Sequence, residues 1–248
     1  MKTLKKFLLL SLLIPIFVSC NPDDDNDSIN NNKLSIATVE NPNQSSKFLF
    51  RLDNNDLMWT SETSLPFYIP KDGQRIIANY NILTNMITGS MYDHDVRLND
   101  VYTVLTKGIF PITPATKDSI GNDSVQINDM WIGSDYLNVE FVYPGYNKIH
   151  YINLVSDTSK VYTDGKTHLE FRHNAKGDSA VYYKSGIVSF NLKSLQKSSI
   201  SSLNLVIHVN VPNKAADYLL PLTYTFGETP TLYKTPKIIM PANINNSL

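Results

Sequence analysis

Leu203-Asn204-Leu205-Val206-Ile207-His208-Val209-Asn210-Val211 is the stretch from which the fold class follows. Leu203, Leu205, Ile207, Val209 and Val211 fall on one side of an extended chain, and Asn204, Val206, His208 and Asn210 on the other. A period of two marks a strand with one buried face; a helix would space its apolar residues three and four apart. The same reading extends upstream. Residues 136–143 place Leu137, Val139, Phe141 and Tyr143 on one face, Pro144-Gly145 turns the chain, and 148–155 returns. Residues 167–173 direct Leu169 and Phe171 inward, and Asn174-Ala175-Lys176-Gly177-Asp178 reads as a hairpin loop with a glycine for positive φ. Residues 180–192 form a further strand, bent at Ser185-Gly186.

The N-terminal half repeats the pattern. In residues 75–83, Ile76, Ala78, Tyr80 and Ile82 oppose Arg75, Asn79 and Asn81, while Ile77 and Leu83 make the second face half covered. Lys71-Asp72-Gly73-Gln74 is a turn, and 96–105 is a strand bulged near Asn99-Asp100. Residues 194–202 are the one modest helical candidate. Short strands at this spacing, punctuated by Pro, Asn and Gly, predict an all-β chain of barrels or sandwiches. Residues 111–123, with two prolines, Gly121 and no sustained apolar pattern, are the predicted boundary between two domains.

The first residues are an address. Lys2, Lys5 and Lys6 precede a twelve-residue apolar run, 7–18, interrupted only by Ser11. A membrane span needs about 20 apolar residues, so this run reads as a signal peptide over residues 1–19. Phe17-Val18-Ser19-Cys20 resembles a bacterial lipobox, with Phe17 where leucine is usual. Cys20, the single cysteine, is the predicted lipidation site and the predicted link to the lipid bilayer. With one cysteine, neither an internal disulfide nor a thiolate metal cluster can form. Residues 20–33 contain Asp23, Asp24, Asp25 and Asp27 and almost nothing apolar, which predicts a disordered acidic tether. This segment resembles the acidic signal that sends lipoproteins of the Bacteroidota to the outer face of the outer membrane.

Removing Lys2, Lys5 and Lys6 from the 22 basic residues leaves 19 against 23 acids, four of them in the tether. The folded part is therefore close to neutral and carries no basic stripe, which argues against nucleic-acid binding.

Several phrases occur together in one order: Tyr92-Asp93, Val96-Arg97-Leu98-Asn99, Val104-Leu105-Thr106-Lys107, Asp129-Met130-Trp131-Ile132-Gly133, Tyr136-Leu137-Asn138-Val139 and Phe171-Arg172-His173-Asn174-Ala175-Lys176-Gly177-Asp178. The ensemble resembles the NigD-like lipoproteins of the Bacteroidota and covers most of the chain after the tether. The resemblance implies an OB-like β-barrel over residues 34–124 and a β-sandwich over 125–248. It implies no established activity and no catalytic residues; bacteriocin immunity is the role the family name suggests.

The candidate chemistry is sparse. Asp93-His94-Asp95 on a strand splits its carboxylates from its imidazole and reads as a polar strand end. His168 and His173 fall on opposite faces of one strand, and His150 and His208 on two others. No H-E-x-x-H or G-x-S-x-G is present, and no cofactor or metal site is predicted. Glu140 and Glu170 read as surface glutamates. Arg172, His173, Asn174 and Asp178 form the sharpest polar cluster, a possible ligand-contact loop with an Arg172–Asp178 ion pair. Fourteen tyrosines and two tryptophans invite stacking on sugars, and of the adjacent Tyr182 and Tyr183 one is expected at the surface. Ser28, Ser119, Ser124 and Ser179 each follow an aspartate and precede a small or apolar residue, resembling the O-glycosylation motif of exported Bacteroidota proteins. The sequence thus reads as a membrane-anchored, non-enzymatic module for a protein or glycan ligand. Bacteriocin immunity and a hydrolase with an unmarked site are the alternatives.

Overall fold

The computed structural model describes residues 32–40, 46–85 and 89–227. The predicted signal peptide, Cys20, the acidic segment and Ser28 lie outside these residues.

Five strands close a barrel: β1 (Lys33–Glu40), β2 (Leu49–Leu52), β3 (Leu57–Thr63), β4 (Arg75–Asn85) and β5 (His94–Thr103), in the order β1-β2-β3-β5-β4. β3 and β5 are parallel; the other pairs are antiparallel. Val39, Phe50, Met58, Ile76, Ala78, Tyr80 and Leu98 fill the interior. β4 is apolar on both faces because both are covered. Ile76, Ala78, Tyr80 and Ile82 point into the barrel, whereas Ile77 joins Ile36 and Val104 against Trp131 and Ile187 of the second domain. The expected bulge is present: Asn79 pairs with Asp100 and Tyr80 with Leu98, which leaves Asn99 over.

The rest forms two packed sheets. Its elements are β6 (Leu105–Lys107), β7 (Ile109–Ile112), α1 (Lys117–Ile120), β8 (Gln126–Gly133), β9 (Tyr136–Gly145), β10 (Tyr151–Asp157), β11 (Thr167–Asn174), β12 (Tyr182–Asn191), β13 (Ser202–Val209) and β14 (Tyr218–Thr225). One sheet runs β14-β13-β11-β10-β7 and the other β6-β12-β9-β8. Between them lies a core that includes Leu137, Val139, Phe141, Leu154, Phe171, Phe190, Leu205 and Ile207.

Three sequence readings need correction. The domains change at Val104 rather than at 124/125, because β6 and β7 pair in parallel with β12 and β10 and so belong to the sandwich. Strands of three and four residues carry too little alternation to be seen locally, and their partners lie far along the chain. Residues 113–125 are therefore a crossing within the sandwich, from β7 in one sheet to β8 in the other. Similarly, 174–178 is no hairpin loop: β11 and β12 lie in different sheets. Lys176 and Gly177 do both take positive φ there, at 53° and 64°. The helical candidate at 194–202 shrinks to one 3-10 turn, Lys193–Leu195.

A buried polar network joins the two domains. Arg75, 1% exposed, donates to Asp53 Oδ1 and Oδ2 at 2.6 and 2.9 Å and to Asn138 Oδ1 at 3.0 Å. Asn138 returns a hydrogen bond to Asp53 at 2.9 Å and accepts one from Ser189 at 2.6 Å. The guanidinium also sits 4.4 Å from the Tyr136 ring centre. A Cβ at position 133 would fall 2.3 Å from Asp53 Cγ, so glycine is required for the carboxylate to reach its partners.

Candidate functional site

The free end of the sandwich is built from the segments 145–150 and 174–183, which carry β9 into β10 and β11 into β12. Their exposed residues include Tyr146, Tyr182 and Tyr183, 51%, 61% and 84% exposed, together with lysines, Ile149 and Val181, and Tyr151 at the start of β10 is 48% exposed. Tyr182 pairs with Gly145 and Tyr183 with Pro144, whereas β6 covers only Val188, Ser189 and Phe190 on the other flank of β12. The strand end therefore projects past its neighbour, and both adjacent tyrosines reach solvent instead of the one expected.

Beneath this surface the backbone is pinned. Asp178 accepts from the N–H groups of Tyr146 and Asn147 and from His150 Nε2 at 3.1 Å. His150 Nδ1 lies 2.7 Å from His173 Nε2, and Tyr143 packs on both rings. Burial works to raise the Asp178 pKa, but the Tyr146 N–H, the His150 ring and further backbone N–H groups outweigh it and hold it well below the usual carboxylate range. The Asp178 carboxylate can only accept, so His150 donates from Nε2; His150 Nδ1 is then the acceptor, and His173 donates from Nε2. Burial, with the neighbouring His150, lowers the His173 pKa against the opposing effect of the Asp123 and Ser124 backbone. Lys148 Nζ donates to the carbonyls of Lys176 and Gly177, and Lys184 Nζ to that of Tyr146.

The four residues of the predicted ligand-contact loop thus support this end instead of forming its surface. Arg172 and His173 are buried. Arg172 pairs with Glu170, not with Asp178, because alternation on β11 puts Arg172 on the outer face of the sheet and His173 on the side that meets His150 and Asp178. Asn174 donates to the Ser119 carbonyl at 3.2 Å and accepts from the Lys176 N–H at 2.9 Å.

The remaining candidates are dispersed. Asp93, His94 and Asp95 bond separately to the Leu57 N–H, to Asn85 and to Thr84. Among the described residues no group of three or more His, Cys, Asp or Glu is arranged to hold a metal. Glu140 and Glu170 are buried, contrary to their reading as surface residues. Glu170 is neutralised by Lys160 and Arg172. Glu140 faces the neighbouring domain, and burial, with Asp129 alongside, pushes its pKa up to about 7. Ser119 and Ser179 are exposed, and Ser124 is half-buried. A second chain of Asp164, His168 and His208 lies on the outer face of the five-stranded sheet, under the Tyr162 ring. Both His–His contacts escape the sequence, since each joins strands paired only in three dimensions.

The matches to known proteins follow this architecture. Residues 36–104 match the NigD-like N-terminal OB domain and residues 108–220 the NigD-like C-terminal beta sandwich domain. The chain belongs to the NigD-like family. The division between its two matches falls where β5 gives way to β6. A Bacteroides vulgatus protein of unknown function is 31% identical to this NigD-like chain, with a TM-score of 0.69 over 82% of this chain and 96% of that one. A NigD-like immunity protein from Bacteroides caccae is 19% identical, with a TM-score of 0.63 over 78% and 97%. A Bacteroides fragilis structure termed a lipoprotein shares the fold at 11% identity, with a TM-score of 0.54 over 80% and 100%. None of the curated proteins matches the chain.

Proposed function

We propose that this NigD-like protein is a lipid-tethered binding module that works without catalysis and presents the free end of its sandwich to a ligand. The observation that carries this reading is preorganisation. Asp178, Lys148 and Lys184 fix the very segments that hold Tyr146 and Tyr182 in solvent. A site whose loops are ordered before binding loses less conformational entropy when a ligand arrives. The tyrosines offer wide apolar faces with a polar tip, suited to a glycan or a protein surface.

The anchor is acylated Cys20, and the acidic residues behind it direct the protein to the outer face of the outer membrane. The sequence of residues 1–27 supports this, as does the name of the Bacteroides fragilis relative. Ser119 and Ser179, exposed, and Ser124 and Ser28 are the proposed glycosylation sites; an intact mass equal to polypeptide plus lipid would remove them. Bacteriocin immunity is a second reading, supported by the name of the Bacteroides caccae relative.

The test uses intact cells. A photo-cross-linker in place of Tyr146 should form adducts with an envelope component, and external protease should digest the protein but spare a variant with Asp23, Asp24, Asp25 and Asp27 replaced by Ala. Turnover of a glycan or peptide substrate by the purified chain would overturn the binding reading. Equal digestion of both forms would overturn the role of the acidic segment, and protection of both would overturn outward display.

A further inference from the structure

Resting on the binding reading, the geometry points to a ligand class: we propose that the free end of the sandwich binds an acidic polysaccharide. Two sets of groups meet there. The Tyr146 and Tyr182 rings lie 6.2 Å apart between centres and 39° from parallel, as an open, angled pair. Lys176 Nζ stands 5.4 Å from the centre of the Tyr151 ring, and Lys148 and Lys184 are anchored to loop carbonyls by one or two N–H groups each. An ammonium has three N–H donors, so each of these lysines keeps at least one, and its full charge, for a partner.

Among the described residues, none of the three forms an ion pair with a carboxylate, although the chain as a whole carries slightly more acid than base. Of the carboxylates nearby, the Asp178 side chain is buried and taken up by the loop N–H groups and His150, and the exposed Asp123 accepts from the Ala175 N–H at 2.7 Å without pairing with a lysine. The site is therefore aromatic and cationic, with positions fixed in advance. Sugar rings offer apolar faces to tyrosines, and uronate or sulfate groups spaced along a glycan offer the missing anions. A neutral glycan would desolvate the ammonium groups without pairing them, which is unfavourable. An anionic lipid surface would satisfy the charges, and tyrosines also settle at membrane interfaces, but it presents no row of sugar faces for an angled ring pair, and the vesicle arm of the test separates the two.

The experiment is calorimetric titration of the full-length protein in neutral detergent with polygalacturonate, chondroitin sulfate and uncharged dextran, and with phosphatidylglycerol vesicles for the lipid arm. The expected result is binding of an acidic glycan, weakened as salt is raised, with little heat from dextran. The paired substitutions Tyr146→Ala and Tyr182→Ala should weaken binding roughly tenfold or more, and Lys176→Met should reduce its salt dependence; both remove exposed groups and should leave the thermal midpoint nearly unchanged. Dextran binding as tightly as the acidic chains, full affinity in the tyrosine variant, or binding to vesicles alone would each overturn the proposal. Absence of glycan binding, with the cross-link at position 146 still formed to a protein, would overturn it while leaving the binding reading intact. Glycan turnover would overturn both.

Discussion

Two buried polar networks organise this molecule, and they are built from different chemistry. At the seam between domains, Arg75 and Asp53 form a guanidinium–carboxylate pair completed by the Asn138 amide and the Ser189 hydroxyl. At the sandwich tip, the Asp178 carboxylate accepts from His150, whose other ring nitrogen meets His173, a histidine whose pKa burial lowers. The seam joins barrel to sandwich through buried side chains. The tip orders a surface loop and carries a pH dependence with it. A burial requirement common to both was met once by pairing a carboxylate with arginine and once by pairing a carboxylate with histidine.

The comparison can be broken most severely at Asp53. Asp53→Ala leaves Arg75 buried and unpaired and should cost about 3–5 kcal/mol, read as a large drop in the denaturant midpoint. Asp53→Asn, which keeps the acceptor for one N–H, should lose less.

Glu140 provides the next test. It lies two residues from Asn138 on the same face of β9 and opposite Ile187 of the interdomain cluster. With its folded pKa raised to about 7 from 4.5, the native state favours the protonated form. Its ionisation therefore reduces stability as pH rises from 4.5, and the full cost is present above 7. Glu140→Gln should gain up to about 3 kcal/mol at pH 8 and much less near pH 5, measured by urea unfolding at both values. An equal effect at the two pH values would mean that Glu140 does not titrate between them.

A smaller effect is expected at the tip. The folded pKa of His173 is lowered by burial, with His150 contributing, so neutral His173 is favoured in the fold. Stability is then complete above the ordinary histidine value of 6.5 and falls as pH drops below it, because the unfolded chain takes the proton first. His173→Asn should flatten this acid slope, and the remainder should report His208, whose pKa burial also lowers. A slope unchanged by the substitution would mean the tip does not titrate as a unit. Smallest of all is the exposed Arg97–Glu62 pair, 49% and 51% exposed. Glu62→Ala should change stability by less than about 1 kcal/mol, which sets the baseline against which the two networks are judged.

Much of the architecture could be read locally. The alternation in 75–83, 136–143 and 203–211 located β4, β9 and β13, and the bulge at Asn99 showed itself as a break in that alternation. The candidate site was only half legible. The segment Arg172 to Asp178 drew attention because polar residues there interrupt an apolar period, but its role as a buried support, with tyrosines above it, required the positions of β9, β10 and β12.

The chain's own order of apolar and polar residues determined that this protein is all-β, which faces are buried, and that an apolar N-terminal run ends at Cys20. Those properties depend on neighbours one or two residues away. Tertiary structure alone decided that β6 and β7 belong to the sandwich, that Arg75 meets Asp53 and Asn138 across the seam, that His150 meets His173, and that Tyr182 and Tyr183 are both exposed. Each depends on contacts between residues distant in the chain, whose chemistry a local period of two cannot encode.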